Sequence, residues 1–215
     1  MMEILIVLFI AGLIMTCVYM LLQGMMHVDK EHGMEFSRRI WWILIMGSIV
    51  AAGVWQITTA GMEVSFRCAW LVLQIYFVSC SLTDIMTCQV YDLFQYLGIV
   101  AGAYLLLRGE VSAEIGVFIV LFAVLQYFVF RKLYGEADTM SFLVAALAEG
   151  ALGYDIQMYL LHMIFAYLML SLTQIVKGNI GTGGKLKVPV PFLPYITVGF
   201  WGIVVYGERI WNYMG

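Results

Sequence analysis

The feature that most constrains this chain is a succession of long apolar runs with hardly a charge in them. Ile4 to Leu22 carries no charged residue and is long enough to cross a bilayer, which takes about 20 apolar residues as a helix. Its only early charge is Glu3, so the basic start of a cleavable signal peptide is missing and the run reads as a retained span. Comparable runs follow at Ile40–Ala60, Cys68–Thr83, Leu93–Leu107, Ile115–Phe130, Thr139–Leu152, Ile156–Val176 and Pro191–Tyr206, with a tail over Gly207–Gly215. Composition agrees: 63% of residues are hydrophobic and 12% charged, where a soluble domain carries about 25% charged. The expectation is an all-α polytopic membrane protein of about eight transmembrane helices, in contact with the lipid bilayer.

Charge gives the orientation. The loops that alternate along such a chain fall into two sets. Gln23–Arg39, Asp84–Asp92, Arg131–Asp138 and Lys177–Pro189 hold eight of the eleven basic residues, and the opposite set holds Arg67, Arg108 and Arg209. The basic set is expected on the cytoplasmic side. A net charge of −3 leaves no footprint for nucleic acid. Cys17, Cys68, Cys80 and Cys88 have no CxxC or zinc-ligand spacing and read as small buried hydrophobes.

Two acids stand at run edges on that same side. Asp84 closes one run, and Asp138 sits in Gly135-Glu136-Ala137-Asp138 before another, 54 positions later. Acids at membrane depth or its edge are costly and mark functional positions. Paired, two aspartates share one proton, because like charges about 3 Å apart cannot both ionise; one then serves as acid and the other as base. A glycine beside one of them allows close approach of backbone or substrate. The plain alternative for Asp138 is a helix N-cap. Asp84 at a helix end is harder to explain that way, since a negative charge there opposes the macrodipole. From the residues alone, both readings stand.

Three stretches resemble the type IV prepilin leader peptidases, a family of GxGD-type membrane aspartic proteases that includes the archaeal preflagellin peptidases. Asp84-Ile-Met-Thr-Cys-Gln-Val-Tyr-Asp92-Leu93 is similar to the family's first aspartate motif. Gly135-Glu-Ala-Asp138, followed by the small residues Ala145-Ala146, is similar to GxGD in its GxAD form. Val190-Pro191-Phe192-Leu193-Pro194-Tyr195 with Gly199 is similar to a third, proline-containing motif. The order matches and the resemblance covers roughly 69–206. It implies a six-helix peptidase core (68–207) with Asp84 and Asp138 catalytic, preceded by two extra helices and a cytoplasmic loop (1–67) and followed by a short tail (208–215). It further implies cleavage of a short basic leader from pilin-like precursors, with the active site facing the cytoplasm at the plasma membrane. The chain departs from the family at Ala137, Tyr91 and Met140. It lacks the zinc-bearing cysteine domain of bifunctional members, so peptidase activity without N-methylation is the expectation.

Substrate-binding candidates are Gly135, Glu136 and Ala137 beside the second aspartate, with Asp92 and Glu149 as further acids suited to a basic leader. Glu149 lies eleven residues after Asp138, about 16 Å along a helix, and is expected near the outer face. No metal or organic cofactor is expected: His27, His32 and His162 fall in no HExxH pattern. The loop Gly178–Leu186 fails the phosphate-loop spacing and reads as a flexible basic loop. No serine lies in a GxSxG context. Two other functions remain in view: an ion-coupled transporter using the same acids, which calls for deeper acids and inverted repeats, and an inactive membrane scaffold.

Overall fold

The computed structural model describes residues 2–28, 36–109, 111–129, 135–179 and 190–214. Those residues form eight helices and no strand: α1 (Met2–Val28), α2 (Arg38–Thr59), α3 (Val64–Thr87), α4 (Asp92–Arg108), α5 (Ala113–Phe128), α6 (Glu136–Ala151), α7 (Ile156–Val176) and α8 (Leu193–Met214). Four of them, α1, α2, α3 and α7, are long and apolar enough to cross a membrane, and α8 contributes a shorter apolar stretch, Leu193–Gly207. The basic loop segments behind the orientation argument, including Lys30, Arg131, Lys132, Lys185 and Lys187, lie outside the described residues.

Local chemistry sets several helix starts. Ser37 and Ser112 cap α2 and α5 by accepting the amides of Ile40 and Ile115. Asp155 caps α7 by accepting from Gln157 and Met158 at 3.0 and 3.1 Å. Most boundaries differ from the sequence reading by a few residues, and two of them bear on the site and the tail. Helix α3 runs past Asp84 to Thr87 and ends at Cys88, which adopts φ 52° in the left-handed region. A backbone ladder needs no apolar side chain to continue, so the first charge did not stop the helix. Helix α8 likewise continues through Glu208 and Arg209 to Met214, where the sequence suggested a tail.

Helix α3 is the hub. It packs on α1, α2, α4 and α8, while α4 lies closely along α6. At the α4–α6 seam Gly102 lies against Leu147 and the Val144 carbonyl, where a Cβ would stand 3.1 Å from Leu147, and the small residues Ala101, Ala145 and Ala148 are buried, as suits close approach of helices. Aromatic rings fill the centre: Phe77 stacks on Phe200 at 4.6 Å between ring centres, and Trp70 packs on both Phe66 and Phe200.

Candidate active site

Asp84 is buried in the last full turn of α3. Its Oδ2 accepts the backbone N–H of Leu193 at 2.9 Å, and the Phe192 amide also bonds to the carboxylate. These amides belong to the start of α8, so Asp84 acts as the cap of another helix across the bundle. The orphan amides of a helix start favour a negative charge. The proline-containing stretch Val190–Tyr195 therefore has a physical role: it opens α8 at the position where its first amides meet Asp84. Two further contacts hold α3 and α8 antiparallel in this register. Ser81 and Thr197 hydroxyls lie 2.8 Å apart, and Trp201 Nε1 donates to Gln74 Oε1 at 2.8 Å.

Asp138 occupies the first turn of α6. It is not the N-cap: that position is Gly135, and the carboxylate of Asp138 accepts the Gly135 amide from the third helical position, the geometry of a capping box. Gly135 sits at φ −62°, ψ 155°, a conformation open to any residue, so no backbone requirement selects glycine there. Burial pushes the Asp138 carboxyl up to about 7; the negative charge of Asp84 adds to the rise, and the Gly135 amide opposes it. The charge of Asp84 thus bears on the Asp138 proton, with burial the larger cause.

Behind Asp138 lies a polar cluster that no sequence motif announced. The Tyr76 hydroxyl on α3 donates to Gln95 Oε1 on α4 at 3.0 Å and lies 2.8 Å from the Ser141 hydroxyl on α6. Ser141 and Gln95 both donate to the Ala137 carbonyl, at 2.9 and 3.3 Å. The turn carrying Asp138 is thereby tied to α3 and α4. Tyr76 fits only because Gly98 faces it; a Cβ there would stand 2.7 Å from the ring.

The substrate-binding candidates divide. Asp92, Glu136 and Ala137 line one pocket of about 420 Å³ together with Gln89, Gln95 and Met140. Gly135 caps α6 beside it. Glu149 is elsewhere. Near the end of α6 away from Asp138, it is enclosed in the bundle at 1% exposure, with its Oε1 2.8 Å from His162 Nδ1. A second, largely apolar groove of about 700 Å³ runs between α2, α3 and α8. Trp42, Met46, Leu82, Ile85 and Trp201 form its walls, and Arg38 and Arg39 also line it. Among the described residues no group of three or more His, Cys, Asp or Glu side chains is arranged to hold a metal ion.

No family model, no curated protein and no solved structure matches the chain.

Proposed function

We propose that this chain is a membrane aspartic endopeptidase of the prepilin-peptidase type, with Asp84 and Asp138 as its catalytic pair. The observation that carries the reading is the convergence of three separated stretches on one point: Asp84 accepts amides from the Phe192–Leu193 stretch, and its charge bears on Asp138. In this reading the eight helices span the plasma membrane, with the pair at its cytoplasmic edge.

The surroundings of the two carboxyls favour different protonation states. Burial disfavours ionisation of both carboxyls; at Asp84 the helix-start amides of Phe192 and Leu193 offset part of that cost, while at Asp138 the neighbouring charge adds to it and favours keeping the shared proton there near neutral pH. Asp84 then takes a proton from the attacking water, and Asp138 gives its proton to the carbonyl oxygen of the scissile peptide bond. The acidic pocket with Asp92 and Glu136 suits a short basic leader. The apolar groove flanking Asp84, reaching Leu82 and Ile85, suits the hydrophobic helical stem of a pilin-like precursor.

The test is cleavage of a pilin-like precursor in membranes by wild type, Asp84→Asn and Asp138→Asn. The reading predicts that wild type cuts and that each substitution abolishes cutting while the protein still inserts. If either variant stays active, that aspartate is not catalytic. The transporter reading has one observation on its side, the deeply buried Glu149–His162 pair. Proton-coupled uptake by wild type that is lost in Asp84→Asn or Asp138→Asn, while no precursor is cut, would favour it.

A further inference from the structure

His162 is fully buried in α7 and touches two other helices with its two ring nitrogens. Nε2 lies 2.9 Å from the Ile196 carbonyl on α8. A carbonyl only accepts, so Nε2 carries a hydrogen. Nδ1 lies 2.8 Å from Glu149 Oε1 on α6, and the second oxygen of Glu149 is buried without a hydrogen-bond partner. A bare carboxylate facing a bare ring nitrogen would repel it, so one further proton resides on the pair, as imidazolium with carboxylate or as imidazole with carboxylic acid. Such an arrangement is costly inside an apolar bundle and needs a compensating role.

Its position supplies one. Ile196 is one turn beyond Leu193, about 4.5 Å along the axis, and Leu193 donates the amide that holds Asp84. Glu149 lies on the helix whose first turn carries Asp138. Helix α7 packs mainly on α8 and only thinly on α6, so the pair links elements that apolar contact joins weakly. The chain also makes room for the ring: at Gly199 a Cβ would stand 2.7 Å from His162 Cδ2 and 3.2 Å from Nε2.

We infer that His162 and Glu149 are positioning residues, a buried polar strut that fixes the start of α8, and with it Asp84, relative to the helix carrying Asp138. The inference rests on the peptidase reading for its effect on turnover, but its geometry stands without it.

The experiment uses the full chain in membranes. Replacing both partners, His162→Phe with Glu149→Leu, removes the strut without stranding a buried charge. The account predicts a fall in kcat of about tenfold to a hundredfold, in line with small misplacements of reacting groups, with KM little changed. It also predicts that the alkaline limb of the pH profile moves to lower pH, because Asp138 loses part of the influence of Asp84. Glu149→Gln keeps a polar partner for the ring and is expected to retain most of the activity and the wild-type limb. A double variant with wild-type kcat and an unmoved limb overturns the inference. So does a Glu149→Gln protein as impaired as the double variant. If the double variant does not insert, Gly199→Ala, which presses a methyl group on the same ring, takes its place with the same two readouts. If wild type cuts no precursor, the peptidase reading fails instead. The strut is then judged on the infrared carbonyl band of protonated Asp138, identified by its loss in Asp138→Asn. Its midpoint is expected to fall in the double variant, and an unmoved midpoint overturns the inference.

Discussion

Helices α3 and α7 are alike in length and in apolar content, and both are long enough to cross a membrane, yet they do opposite work. In its apolar window α3 is 72% buried and α7 only 22%. Helix α3 buries Gln74 near its middle and Ser79, Ser81, Thr83 and Asp84 in its second half. Apart from His162 and Gln174, the buried residues of α7 are Met158, Tyr159 and Ala166, while Ile164, Leu168 and Leu172 stay exposed. A helix in lipid gains nothing by turning polar groups outward. A run of hydroxyls and amides inside an apolar segment therefore marks a helix surrounded by protein, while the two buried polar side chains of α7, His162 and Gln174, mark where a largely exposed helix is attached.

This contrast is open to direct attack. The largest effect is expected at the polar end of α3: Asp84→Asn removes general base chemistry worth about a hundredfold or more in rate, read as precursor cleavage against protein that still inserts. Next is the apolar centre of the same helix. Phe77 is fully buried and stacked on Phe200, so Phe77→Ala is expected to cost about 3–5 kcal/mol in reversible unfolding in detergent. At the attachment point of α7 the effect is smaller. Gly199→Ala overpacks His162 and is expected to cost about 1–3 kcal/mol, whereas Gly202→Ala, with nothing within 4 Å of the added methyl, costs nothing measurable. Smallest is the lipid face: Leu168→Ala, at a site 52% exposed, is expected to change stability by less than about 0.5 kcal/mol. If Leu168→Ala were as harmful as Phe77→Ala, α7 would have a partner that covers it.

A pH profile sharpens the same comparison at the site. In the proposed mechanism Asp138 carries the proton, and its carboxyl is raised to about 7. Its protonated form is therefore full at lower pH and is lost as pH rises through that value. Cleavage is expected to decline over that window, and also at acid pH once both carboxyls are protonated. A rate that keeps rising through pH 8 would contradict the assignment of the shared proton to Asp138.

Much of the fold was legible because apolar runs report their own length. Ile156–Val176 was read residue for residue, and the other helices were displaced only at their ends. The end of α3 differs because the reading stops at the charge of Asp84, and the end of α8 because it stops at Gly207, although hydrogen bonding carries both helices on. Asp84 and Asp138 stood out because charges are rare here. The partners that organise them did not. Tyr76, Gln95 and Ser141 are unremarkable in a sequence, and only helix packing brings positions 65 apart within 2.8 Å. Glu149 and His162 lie 13 positions apart across a turn, and no periodicity says that both point inward. A charge and a histidine interrupting two consecutive apolar runs were the signal available for them.

The central claim is that Asp84 and Asp138 form one unit, and the most direct measurement is the titration of Asp138 in wild type and in Asp84→Asn, followed through the infrared carbonyl band of the protonated acid. With the neighbouring negative charge removed, the account predicts that the midpoint falls from about 7 towards the ordinary aspartate range, burial alone holding it above that range. A midpoint that stays where it is in wild type would mean that the two carboxyls do not feel each other, and the pair would not exist.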